Sequence, residues 1–339
     1  MTHDSESTEN VAIPSLWVRP ILTGRHAPPA SKYDILVASC GYEQRSRYLA
    51  ERLQHSTGKI FAYSFESNRD LAYDANRAFY ESVGEVVDEP ETAFRKDLAN
   101  KVEAVAAIKT MLIPAERSEA EAVAAPISIA VDISSMTRER IAHTVSALTL
   151  DVTHSLEIDF LYAVAQFSEL VGSEGVVRVN RPIEGFEGWA LNPSLPTVCI
   201  IGAGFEGDLA LGLLEELEPA ETFLFLPTGE DESYDTILLD RNRDLLSSPD
   251  THAIEYEVSQ PHEALTYLES LVHRLVGEYR VVILPLGPKI FSLSALLVGL
   301  VYPLDVAVWR LSADDGRDPQ DRRASGHVVG LRVTVLAQA

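Results

Sequence analysis

Cysteine is almost missing from this chain: Cys40 and Cys199 are the two in 339 residues, so no disulfide framework can form and a reducing cytosol is the economical compartment. Histidine and cysteine nowhere fall at zinc-ligand spacing, and no metal site or resident cofactor is expected. Positive charge is scarce too. Lys and Arg total 28 against 51 Asp and Glu, a formal charge of −23, and a surface that acidic repels polyanions and excludes extended nucleic acid as the expected ligand. Long hydrophobic runs are lacking: the most apolar stretch, Ile290 to Leu304, is broken by Ser292, Ser294, Gly299 and Pro303 and is too short to span a bilayer. The opening MTHDSESTEN has neither the basic nor the apolar region of a signal peptide, and residues 1–31 read as a loose tail. There is no GxxxxGK[ST] phosphate loop, no GxSxG elbow and no HExxH helix. What is present is 46% apolar residues, enough for the cores of about two domains at roughly 150 residues each.

The apolar residues repeat. DILVASCGYEQRSRYLAERL (Asp34 to Leu53) and TVCIIGAGFEGDLALGLLEEL (Thr197 to Leu217) each read as strand, glycine turn and amphipathic helix, with Gly41-Tyr42-Glu43 falling on Gly204-Phe205-Glu206. Later, ISIAVDISSMTRERIAHTVSALTL (Ile127 to Leu150) matches RVVILPLGPKIFSLSALLVGLVY (Arg280 to Tyr302), and LEIDFLYAVA matches PLDVAVWRLS. Strands rich in Val, Ile and Leu without polar alternation, spaced by helices, mark parallel sheets covered on both faces. The expectation is therefore an α/β chain of two tandem doubly wound, Rossmann-like units from an internal duplication. The first spans residues 32–168, a connector 169–196, and the second 197–339, closing with GHVVGLRVTVLA as an edge strand.

In such a sheet the ligand crevice opens outside the carboxyl ends of the strands, where strand order reverses. With order 3-2-1-4-5 in each unit, the loops after strands 1 and 4 border it, and these are the most unusual loops in both copies. The candidate ligand-binding residues are Gly41, Tyr42, Glu43 and Arg45, then Asp132, Ser134, Ser135, Thr137 and Arg138, in the first unit. In the second they are Gly204, Phe205, Glu206 and Gly207, then Gly287, Pro288 and Lys289. Each strand 4 loop leads into a helix whose free N–H groups and dipole suit an anion, with Arg138 or Lys289 adding charge. Plainer readings stand beside these: turn glycines, helix caps at Ser134, Ser135 and Thr137, core plugs at Tyr42 and Phe205, and dipole-matched Glu43 and Glu206. Gly202-Ala203-Gly204-Phe205-Glu206-Gly207 is a GxGxxG in dinucleotide-fold context, but strand 2 ends in Leu226-Pro227-Thr228 where the ribose-binding acid belongs, and the first copy lacks the triplet. His143 reads as a helix histidine and Cys40 as a small buried residue. Arg317, Arg322 and Arg323 lie in an Asp-rich terminal segment that is either solvated or folded over the pocket as a lid. No catalytic residue is assigned.

Laid out this way, the chain resembles the CARF and SAVED group of Rossmann-like sensors of cyclic oligonucleotides in prokaryotic defence. Gly287-Pro288-Lys289 looks like that group's Gly-Thr-Lys-like turn, with Pro288 replacing the threonine, and Ser134 to Arg138 is a departed version. Two units in one chain look like the SAVED arrangement. The resemblance implies a small nucleotide-type ligand across the two halves and, since no effector segment follows, a partner effector protein or self-association. The alternatives are an enzyme that cleaves such a nucleotide or NAD, and an adaptor subunit without ligand.

Overall fold

The computed structural model describes residues 16–21, 32–67, 69–111, 125–166, 177–188, 192–229, 232–313 and 320–337. In chain order the strands are β1 (Leu16–Pro20), β2 (Tyr33–Cys40), β3 (Thr57–Ser64), β4 (Glu85–Val87), β5 (Ile127–Asp132), β6 (Leu156–Ala165) and β7 (Val177–Pro182). They continue as β8 (Thr197–Gly202), β9 (Glu221–Thr228), β10 (Thr251–Glu257), β11 (Arg280–Pro285), β12 (Val306–Ala313) and β13 (Ala324–Val335). Two sheets result, ordered β1-β13-β6-β5-β2-β3-β4 and β10-β9-β8-β11-β12-β7. Within each, the five strands of the repeat run parallel in the order 3-2-1-4-5, so the fold is α/β with two Rossmann-like units.

The helices are α1 (Tyr48–Leu53), α2 (Tyr73–Val83), α3 (Glu91–Met111), α4 (Arg138–Thr149), α5 (Gly207–Leu217), α6 (Glu232–Arg241), α7 (Arg243–Ser247), α8 (Pro261–Leu275) and α9 (Lys289–Val301). Helices α3, α4, α8 and α9 share one apolar core with the facing sides of both sheets, and α4 packs on α9. Separate clusters cover the outer sides beneath α1 and α2 and beneath α5 to α7. The most apolar stretch of the sequence is thereby explained. From Ile290 to Leu300 every residue of α9 is buried, because a helix apolar all round belongs inside a core. No helix among the described residues is long and apolar enough to cross a membrane.

Three boundary expectations are corrected. The last strand does not edge the second unit: β13 crosses to the first sheet and lies antiparallel between β6 and β1. The connector contributes β7, which pairs antiparallel with β12 in the second sheet. Each unit thus donates its sixth strand to the other. Part of the expected loose tail is strand β1, paired with β13, while residues 1–15 and 22–31 lie outside the described residues. Uncovered edges at β6 and β12 favour any alternating segment able to reach them. The choice at β6 is fixed by charge. Asp159, 1% exposed, faces Arg332 of β13, whose Nε and Nη2 donate to its two oxygens at 2.6 and 2.7 Å, and the Tyr33 hydroxyl donates to it at 2.7 Å.

Candidate functional site

The carboxyl ends of both sheets open onto one cavity of about 1290 Å³ between the units. Of the sixteen candidates, all but Asp132, Ser134 and Gly207 line it. Residues from the ends of β3, β6, β9, β10 and β12 complete the wall, among them Phe65, Tyr162, Thr228, Glu257 and Arg310.

The strand 1 loops are held by buried amides that carry no sequence signature. Asn76 of α2 donates through Nδ2 to the carbonyls of Gly41 and Glu43 at 2.8 and 2.9 Å; Asn242, between α6 and α7, donates to Gly204 at 2.9 Å. Each loop thereby presents its aromatic and its glutamate to the cavity. The glycine triplet has packing reasons. A Cβ on Gly202 would meet the Phe291 ring at 2.3 Å, one on Gly204 the Leu286 carbonyl oxygen at 2.5 Å, and one on Gly207 the Arg241 carbonyl oxygen at 2.1 Å. Gly41 differs, since its Cβ would make ordinary contacts at 3.5 Å and beyond. Accordingly Gly207→Ala is expected to lose about 1–3 kcal/mol in urea unfolding, whereas Gly41→Ala stays within about 0.5 kcal/mol of wild type.

The strand 4 loops brace one another across the seam. Arg138, first residue of α4, gives Nε to the Pro285 carbonyl and Nη2 to the carbonyls of Leu286 and Gly287, the last at 3.3 Å. Lys289, first residue of α9, returns the contact by donating Nζ to the Ser134 carbonyl at 2.7 Å. The expectation that Arg138 and Lys289 both wait for an anion is therefore revised: most of the Arg138 fork already serves backbone oxygens of the other half, while the Lys289 ammonium retains two further protons. Thr137 caps α4 by accepting from the Arg140 N–H at 3.0 Å. Ser134 turns inward and accepts from the Ala163 N–H at 2.8 Å. Asp132 lies beneath, one oxygen accepting the Ser134 N–H at 2.9 Å and the other without a hydrogen bond among the described residues, and burial pushes its carboxyl up to about 6.

Charge in the cavity is uneven. Glu43 accepts from Arg45 Nε at 2.6 Å and from Ser135 Oγ at 3.5 Å. Burial opposes its ionisation, but Lys289 and Arg45 hold it below the usual carboxylate range. Burial, joined by Arg45, Arg322 and Arg138, pulls the Lys289 ammonium down to about 7 against the attraction of Glu43. Arg310 is paired with Glu139 of α4. Arg322 is different. The segment before β13 is fastened to the first unit by the Gln44 N–H and Nε2 on Asp321, at 2.7 and 2.6 Å, and by the Arg45 N–H on the Arg322 carbonyl at 3.1 Å. It brings the Arg322 guanidinium to the cavity wall, where it makes no hydrogen bond or ion pair with any described residue. Of the terminal arginines, Arg323 is exposed and Arg317 lies outside the described residues.

Chemically the cavity combines cations from Lys289 and Arg322, two helix N-termini and five aromatic rings, Tyr42, Phe65, Tyr162, Phe205 and Tyr234. Cys40 is no nucleophile here, being fully buried with its thiol pushed up to about 12 by desolvation. His143 faces Glu91 at 3.7 Å and stays clear of the cavity wall. Among the described residues no cluster of His, Cys, Asp and Glu could hold a metal. Comparison with protein-family models finds no match to this chain, and neither does comparison with curated proteins.

Proposed function

We propose that this chain binds a small nucleotide-derived anion, of the cyclic-oligonucleotide type, between its two Rossmann-like halves, and acts as a cytoplasmic sensor or regulatory subunit that passes the signal to a partner protein. One observation carries the reading. Both ligand crevices of a duplicated doubly wound fold open into a single cavity, where two helices begin and the Arg322 side chain makes no hydrogen bond or ion pair with any described residue. Nucleotides present the matching chemistry: phosphate for cations and N–H groups, bases for aromatic faces. The defence setting and the class of signal rest on the CARF and SAVED resemblance.

The test is a thermal-shift screen with cyclic oligonucleotides, NAD, NADP and ATP. A ligand at a hundred times its dissociation constant adds about 2.7 kcal/mol to stability. Because the Arg322 side chain makes no hydrogen bond with any described residue, and its charge favours Glu43 while opposing Lys289, Arg322→Ala should shift the unliganded melting point little and weaken the hit about tenfold. Unchanged affinity in that variant, or silence across the panel, sinks the reading, and silence favours an adaptor role. A second reading, cleavage of the bound nucleotide, is favoured by the grouping of Lys289, Glu43 and Ser135, and product analysis of the same mixtures decides it.

A further inference from the structure

The two units carry equivalent glutamates with opposite surroundings. Glu43 is matched by Arg45 and touched by Ser135. Two residues after Glu206 stands Asp208 where Arg45 would be, and the Glu206 carboxylate makes no hydrogen bond or ion pair with any described residue. It starts α5 without capping it. Arg138, whose charge reaches Glu206, has given Nε and Nη2 to the carbonyls of Pro285, Leu286 and Gly287. Glu206 is half-buried on the cavity wall beside Phe205, whose ring meets that of Tyr234 edge-on at 5.0 Å. An aromatic surface and an acceptor with no hydrogen bond among the described residues thus share one side of a cavity to which the segment fastened to the first unit brings the Arg322 cation.

A carboxylate only accepts hydrogen bonds. A base that pairs with it through both oxygens must offer two adjacent donors. Guanine does so with N1–H and its exocyclic amine, whereas adenine and cytosine set a ring-nitrogen acceptor beside their amine, and uracil flanks its single N–H with carbonyl oxygens. We infer that Glu206, with Phe205 and Tyr234, forms a guanine-reading subsite, while the phosphate of the same ligand turns to Lys289 and Arg322. This deepens the nucleotide reading and rests on it.

The experiment is calorimetric titration of the full chain with cyclic diguanylate and cyclic diadenylate, and with the two mononucleotides. Wild type should bind the guanine ligand at least about tenfold tighter, as a bidentate base contact provides. Glu206→Gln, isosteric and able to offer one donor with one acceptor, should bring the two bases within about twofold. If that variant fails to fold, Glu206→Asp, which withdraws the carboxylate by one methylene, serves instead and should also lose the preference. Equal affinity in wild type, an adenine preference, or a guanine preference that survives both substitutions overturns the base assignment. If adenine ligands then still bind and still depend on Arg322, the nucleotide reading stands alone. Failure of every nucleotide to bind overturns both.

Discussion

Arg140→Met is expected to cost about 3 to 5 kcal/mol of unfolding free energy, measured by urea titration, although residue 140 does not itself line the cavity. Arg140 is 2% exposed, and its guanidinium donates to the carbonyls of Tyr63 and Ser64 at 3.1 Å each, to Ser39 Oγ at 3.3 Å and to Glu91. Methionine refills part of the volume but satisfies none of these acceptors, and a half-broken buried pair is worse than none. The guanidinium also lies 3.8 Å from the centre of the Phe65 ring, so the cavity wall loosens with it. The acid limb of the stability curve should change as well. Burial works against ionised Glu91, yet His143 and Arg140 hold its carboxyl at about 2. A depressed carboxyl stabilises the native state above its unfolded value near 4.5 and loses that contribution as pH falls toward 2. Without Arg140 the folded value rises, and stability between those limits should depend less on pH.

Lys289→Met should act in two directions. The free protein should gain roughly 1 kcal/mol near neutral pH, since an ammonium held down by burial is a cost, reduced here by partial contact with water. With a folded value near 7 below an ordinary 10.5, the unfolded chain binds more protons in between, so wild-type stability rises with pH across that window. The variant should show a flatter rise. Binding should move the other way. An anion beside Nζ favours the charged form, so affinity in wild type falls as pH climbs above 7, and the substitution should weaken the ligand about hundredfold at neutral pH. A thermal-shift titration at several pH values reads both effects, and a variant that binds as tightly as wild type removes Lys289 from the site.

The repeated strands were legible because a strand buried on both faces can only be built from Val, Ile and Leu runs, and order 3-2-1-4-5 is the common way to arrange five of them. The sixth strands were not. Nothing within VRVNRP or ASGHVVGLRVTV states which sheet it joins; for the second, that depends on Asp159 meeting Arg332 across about half the length of the chain. The same limit applies to the site. Loops after strands 1 and 4 could be placed at the crevice, yet the reason for each glycine of the triplet lies with Phe291, Leu286 and Arg241, far away in sequence. Arg138 reads as an anion ligand because it adds charge where the free N–H groups of a helix start suit an anion, and its partners are carbonyls of the opposite half. Arg322 was visible only as one of several arginines among aspartates; its isolation on the cavity wall is a product of how β13 returns.

That return has a mechanical consequence. With β7 laced into the second sheet and β13 into the first, the chain passes twice between the halves, and each half is closed by a piece of the other. The sixth strands stay in their sheets if the halves part, so the cost of opening falls on the apolar core that α3, α4, α8 and α9 share with both sheets. At the seam that cost falls on the α4 and α9 contact and on the bonds to backbone carbonyls by which Arg138 and Lys289 bridge it.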